Sequence, residues 1–184
     1  AHIIRMAQGF GMTVIAFDTK PNPDLSHILN FKYVSLSELL GTSDIITLHV
    51  PYNEQTHHLI NRDNIGSIKK GAYLINTARG AVVETQALIE ALRSEQIAGA
   101  GLDVLEEEGH LADEAAFLTA SHPREEELKT VLEDHYLINH PRVIVTPHLA
   151  FNTTEAIERI LNATIENIQH FSEGTSTNIV TLPS

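Results

Sequence analysis

The chain has 184 residues, 42% of them hydrophobic, a formal net charge of -12 and no cysteine. That is enough apolar content for one sizeable globular core, while the missing thiol excludes disulfides, thiolate metal sites and cysteine nucleophiles. The acidic balance argues against a nucleic-acid surface, which needs clustered Lys and Arg. Apolar runs such as Ile157 to Ile168 are short or broken by polar residues, so no membrane span is expected, and no signal peptide is readable. The 11 histidines are scattered without the helical i, i+4 spacing of a zinc site, so no metal is expected. A reducing, cytoplasmic setting fits this composition.

In chain order, Ala1 to Phe10 reads as a helix stopped by Gly11. Thr13 to Phe17 reads as a strand, and Pro21, Asn22, Pro23 and Asp24 as a turn. Lys32 to Val34 is a short edge strand, and Ser35-Leu36-Ser37-Glu38 has the spacing of a capping box that opens a short helix ending near Gly41. Ile45 to Val50, Tyr73 to Asn76, Ala100 to Val104 and Val143 to Thr146 are further short apolar strands. Glu84 to Ser94, with Leu88, Ala91 and Leu92 at helical spacing, is the crossover between the second and third of these. Glu108 to His140 breaks the rhythm with a polar insertion, whose stretch Glu125 to His135 aligns Leu128, Val131 and Leu132. Asn152 with Glu155 can cap a long helix carrying Ile157, Ile160, Leu161, Ile165, Ile168 and Phe171 on one stripe and ending at Gly174.

Strands alternating with helices in this way imply an α/β fold with a doubly wound parallel sheet covered on both faces. The expected dinucleotide-binding fold is incomplete at its N-terminal strand, because no GxGxxG turn occurs to hold a pyrophosphate.

The chemistry-bearing candidates stand just beyond strand ends, where open α/β sheets bind ligands. Asp18 can accept hydrogen bonds from both hydroxyls of an adenosine ribose, or can simply cap a turn. Arg79, in Asn76-Thr77-Ala78-Arg79-Gly80, can hold a carboxylate in two parallel bonds, or can pair with a structural carboxylate. Gly80 beside it permits close backbone approach. His148, in Thr146-Pro147-His148, has the side chain best suited to moving a proton near neutral pH. A carboxylate on its second ring nitrogen would support it, and Glu106, Glu107 and Glu108 are all available. Spacing alone does not select among the three.

Four segments, His49-Val50-Pro51, Leu74 to Gly80, Gly101-Leu102-Asp103-Val104 and Thr146-Pro147-His148, occur in an order and at separations that resemble the NAD-dependent D-2-hydroxyacid dehydrogenases. The resemblance covers nearly all of the chain. It implies a Rossmann-like NAD-binding domain over residues 1–150, lacking its first strand and glycine loop. Residues 151–184 would be a crossover helix and tail belonging to a substrate domain that is otherwise absent. It also implies that Arg79 binds the substrate carboxylate, that His148 is the proton donor and that Glu108 supports His148, since the family's glutamate lies five positions after the aspartate matching Asp103. Asp18 would hold the adenosine ribose, Asp103 would sit by the nicotinamide, and Val50, Pro51, Thr56, Thr77, Ala78 and Arg79 would line the NAD.

The implied reaction transfers a hydride between NAD(H) and a D-2-hydroxy or 2-oxo acid, without a metal, in a homodimeric full-length enzyme. The insertion and the run Pro147 to Phe151 look more like the D-lactate dehydrogenase branch than the phosphoglycerate or glyoxylate branches. A corepressor-like NAD-sensing interaction protein is the alternative of a different class. An isolated 184-residue product would be an inactive fragment, prone to aggregate through open sheet edges.

Overall fold

The structure, a computed structural model, describes residues 1–106 and 125–179. They fall into two compact units, Ala1–Thr146 and Pro147–Ser184. In the first, helix α1 (His2–Gly9) ends where the Phe10 amide bonds back to Ala7, and Gly11 reverses the chain at φ 78°. Strand β1 (Ile15–Ala16) follows and pairs in parallel with β2 (Lys32–Tyr33).

Between these strands the expected turn is instead the start of a helix, α2 (Pro23–Ile28). The Asn22 side chain accepts from the Leu25 amide at 3.0 Å, and Pro23 occupies the first turn, where its missing N–H removes no bond. The same Pro, Asn and Asp residues serve turns and helix starts, and here the cap decides. Helix α3 (Leu36–Thr42) begins as its spacing predicts, with Ser35 Oγ accepting from the Glu38 amide.

Four strands, β3 (Ile45–Leu48), β4 (Ala72–Asn76), β5 (Ile97–Leu102) and β6 (Val143–Val145), form an all-parallel sheet in the order β3-β4-β5-β6. Their last residues are in register, Leu48 beside Asn76, Asn76 beside Leu102 and Leu102 beside Val145. The carboxyl ends therefore form one level row, and the turns that leave β3, β4 and β5 share an edge. The pair β1-β2 forms a sheet of its own, so among the described residues β1 and β3 each keep one edge without a strand partner.

Helix α4 (Thr85–Arg93) is the crossover between β4 and β5, and it buries Ala87, Leu88, Ala91 and Leu92 in one core with Ile46, Leu48, Leu74, Ala100 and Leu102. Each fully buried Leu or Ile there contributes about 1.5–3 kcal/mol from apolar surface removed from water. The other face of the sheet carries Ile45, Tyr73 and Ile144 in exposed positions. Close packing of β5 and β6 needs a glycine, since a Cβ on Gly99 would stand 2.5 Å from the Arg142 carbonyl oxygen.

Helix α5 (Glu125–Ile138) packs on β6 and α4. Of the three residues aligned on this helix, Leu132 is exposed and Val131 half-buried, and the Leu128 side chain lies outside the described ones. Leu137, near the helix end, joins the core.

In the second unit, helix α6 (Thr154–Ser172) is capped by Thr153, whose hydroxyl accepts from the Ala156 amide at 3.2 Å. The expected cap, Asn152, lies one residue too early and instead bonds through its amide to Leu149. The helix stops at Gly174, φ 73°, as expected. Its stripe of Ile157, Ile160, Leu161, Ile165, Ile168 and Phe171 is exposed.

Candidate active site

The site is built from turns on the carboxyl edge of the sheet. Strand β4 ends on Asn76, only 1% exposed. Its side-chain oxygen accepts from the Ala78 amide at 3.0 Å and its amide nitrogen donates to the Arg79 carbonyl at 2.9 Å. One side chain thus ties both ends of the turn, as Asn does where backbone groups lack partners. Arg79 leaves this turn extended and solvent-exposed, with Nη1 donating to the Ala78 carbonyl at 2.7 Å. Among the described residues no carboxylate lies within ion-pair distance of it, so its remaining donors can face a ligand.

Gly80 is required by contact. A Cβ there would stand 1.7 Å from the Leu105 carbonyl oxygen, because the turn after β5 lies directly on the turn after β4. We expect Gly80→Ala to cost about 3 kcal/mol or more of stability, since backbone rather than a flexible side chain must move. Urea denaturation measures this, and an unchanged midpoint would contradict the packing.

Beside Gly80 opens a cavity of about 320 Å³ lined by Tyr52, Arg79, Gly80, Ala81, Leu105 and Glu106. Of the three consecutive glutamates, Glu106 has its carboxylate engaged: Oε1 accepts from His58 Nε2 and Oε2 from the Thr85 amide at 2.9 Å. Burial, the largest single influence, would raise the Glu106 carboxyl, but the bonds from Thr85 and His58 together outweigh it and hold it below the usual range. Glu107 and Glu108, the latter being the expected partner of His148, lie outside the described residues.

The expected NAD-lining residues other than Asp18 stand beyond the strands of this sheet. Val50 packs against the core at the end of β3. Pro51 and Thr56 close a tight loop in which the Thr56 hydroxyl donates to the Pro51 carbonyl at 2.6 Å and the Asn53 amide donates to that hydroxyl at 2.8 Å. Thr77 is exposed and Ala78 is buried. Asp103 is buried just beyond β5 and accepts from the Thr146 hydroxyl. Asp18 is exposed beyond β1, where one carboxylate oxygen caps the Lys20 amide at 2.8 Å and the other can face a ribose diol. The residue types present fit NAD: Asp18, on the separate β1-β2 pair, offers a carboxylate acceptor, and the turns around Arg79 are braced.

His148 belongs to the second unit, half-buried, with its ring edge-on to that of Phe151 at 5.8 Å between centroids. Its backbone is left-handed, φ 53°. For a residue other than Gly that conformation costs about 1–2 kcal/mol and tends to persist where a site requires it.

Three residues in the site were not singled out from sequence: Asn76, His58 and Tyr52. Asn76 was legible in principle, as an Asn closing a buried strand before a turn. Nothing local marks His58, whose partner is 48 residues away.

The model of the family described as "D-isomer specific 2-hydroxyacid dehydrogenase, NAD binding domain" matches residues 1–150. A "2-hydroxyacid dehydrogenase homolog" of Zymomonas mobilis is 40% identical over 95% of this chain and 50% of its own length. A D-lactate dehydrogenase of Treponema pallidum is 42% identical over 85% of this chain and 44% of its own. Among solved structures, the D-lactate dehydrogenase of Aquifex aeolicus complexed with NAD and lactic acid superposes with a TM-score of 0.82 at 38% identity, covering 94% of this chain and 50% of that one. The chain thus spans about half the length of the relatives it matches. With the family model matched over residues 1–150 and the fold superposing on a D-lactate dehydrogenase structure, the chain belongs to the D-isomer-specific 2-hydroxyacid dehydrogenases, residues 1–150 matching their NAD-binding domain.

Proposed function

We propose that this chain is the NAD-binding half of a dehydrogenase interconverting D-2-hydroxy acids and 2-oxo acids, D-lactate and pyruvate foremost. The observation that carries this reading is Arg79: an exposed guanidinium on a braced strand-end turn, beside a cavity, with no carboxylate partner among the described residues. Such a group suits a small carboxylate substrate held by two parallel bonds.

In the reductive direction Arg79 holds the substrate carboxylate and draws electron density from the adjacent carbonyl. His148 gives its proton to the carbonyl oxygen as C2 is reduced, and takes it back in the oxidative direction. Glu108 stabilises the charged imidazole and fixes its orientation. Bound NADH supplies the hydride. Asp18 holds the adenosine ribose, while Val50, Pro51, Thr56, Thr77, Ala78 and Asp103 form the remaining NAD contacts.

Residues 151–184 would lead back to a substrate domain, and the assembled enzyme would be a cytoplasmic homodimer. The D-lactate dehydrogenase relatives support the choice of substrate.

The test is NADH consumption by the complete enzyme over a panel of 2-oxo acids, with chiral analysis of the product. D-lactate from pyruvate is expected, and L-lactate or no turnover on any 2-oxo acid would overturn the reading. Asp18→Ala should in addition reduce the preference for NADH over NADPH by about tenfold, because a carboxylate there accepts from the 2'-hydroxyl and repels a 2'-phosphate. Unchanged selectivity would remove Asp18 from the ribose site.

A further inference from the structure

Glu106 presents a chemical difficulty. It is a carboxylate, held ionised, lining the same cavity as the guanidinium that would take an anionic substrate. Left unpaired, it would compete for Arg79 and repel the incoming carboxylate. Among the described residues it makes no ion pair with Arg79, because both of its oxygens are turned onto other donors.

The first donor is the Thr85 amide in the first turn of α4. That helix has no side-chain cap of its own from Glu84, so Glu106 satisfies one of its free N-terminal amides from across the cavity wall. The second donor is His58 Nε2. His58 is itself clamped, since its amide donates to the Ala81 carbonyl at 2.8 Å, its carbonyl accepts from Asn61 Nδ2 at 2.9 Å, and its backbone is left-handed at φ 50°. Its ring stacks on that of His57, centroids 3.9 Å apart, and His57 Nδ1 lies 3.3 Å from the Tyr52 hydroxyl on the cavity wall. Three chain segments, around His58, Arg79 to Val82, and Leu105 to Glu106, are thereby locked together at the point where Gly80 admits the Leu105 carbonyl.

We propose that His58 is a positioning residue for substrate binding: it holds Glu106 away from Arg79, keeping the cavity open to a 2-oxo-acid carboxylate. The inference rests on the reading of Arg79 as the carboxylate anchor. Its distinguishing consequence is one of sign. If His58 only supported the fold, removing the charge of Glu106 as well would leave matters unchanged or make them worse. If His58 holds a competing anion away from Arg79, removing the charge of that anion restores binding.

The experiment uses the complete enzyme with NADH and pyruvate. His58→Asn is the first variant, because Asn tolerates the left-handed backbone but does not reach the carboxylate as imidazole does. It should raise KM for pyruvate about tenfold with kcat within about threefold, the scale of one uncompensated charge in a partly screened site. NADH affinity and thermal midpoint serve as controls and should change little. Adding Glu106→Gln should bring KM back to within about threefold of wild type, an interaction that a double-mutant cycle isolates.

An unchanged KM in His58→Asn, or no recovery in the double variant, overturns the proposal while leaving Arg79 in place. If wild type reduces no 2-oxo acid, both readings fall together. Should His58→Asn not fold, His58→Gln with and without Glu106→Gln repeats the comparison. A KM raised equally in the single and the double variant overturns the proposal.

Discussion

Replacing Arg79 with Gln in the complete enzyme is expected to lower kcat/KM for pyruvate about a thousandfold, equivalent to about 4 kcal/mol. Two effects combine. The charge-assisted pair of bonds to the substrate carboxylate is lost, and a single amide cannot reproduce the guanidinium's fork. Orientation is lost as well, and a carbonyl no longer fixed against the proton donor reacts more slowly even when bound. Both KM and kcat should therefore worsen. The fold should not, because Arg79 is exposed and, among the described residues, donates only to the neighbouring Ala78 carbonyl, while the brace on its turn comes from Asn76. A thermal midpoint within a degree or two of wild type would verify that separation. Near-normal pyruvate kinetics in Arg79→Gln would remove the residue from the site.

His148→Gln should behave differently. Gln keeps a polar side chain of similar reach but has no proton to give, so kcat should fall about a thousandfold, within the range of about 10²–10⁴ ascribed to a positioned general acid. The dissociation constant for NADH, measured by quenching of protein fluorescence or by calorimetry, should stay within about threefold, because the assigned cofactor contacts lie elsewhere. A variant that kept its kcat, or one that lost NADH binding in proportion to activity, would contradict the role of proton donor. The left-handed backbone at His148 makes Gln a demanding substitution, and His148→Asn, which tolerates that conformation better, is the control that separates backbone strain from chemistry.

Much of this architecture could be read from the sequence because its signals are local. Ile45 to Leu48 and Tyr73 to Asn76 are apolar runs too short for helices, and Ser35 with Glu38 marks a helix start through atoms three residues apart. The misreadings have local causes too. Pro23 and Asn22 suit a turn and a helix start equally, and only the bond from the Leu25 amide decides between them. Thr153 and Asn152 are both good caps, and a shift of one residue is within the ambiguity of any helix end. Which face of α5 meets the core is likewise set by what α4 and β6 present to it, information that no window of α5 contains.

The candidate site divides along the same line. Arg79 and His148 announce themselves by standing just past apolar strands, and Gly80 by its position beside Arg79. Its actual constraint, the Leu105 carbonyl, is 25 residues distant in sequence and was invisible. The row of glutamates shows the limit most clearly. Glu106, Glu107 and Glu108 are identical side chains, and what fixes Glu106 in place is a histidine 48 residues earlier and an amide 21 residues earlier. Those partners become neighbours only because the strands are in register along one edge.

Whether Arg79 anchors the substrate carboxylate while His148 faces the reacting oxygen is decided by a crystal structure of the complete enzyme with NADH and oxamate, an unreactive mimic of pyruvate. Two parallel hydrogen bonds are expected from the Arg79 guanidinium to the oxamate carboxylate, with a His148 ring nitrogen within hydrogen-bond reach of the oxygen on the adjacent carbon. Oxamate bound away from Arg79, or a His148 ring out of reach of that oxygen in the closed complex, would contradict that arrangement.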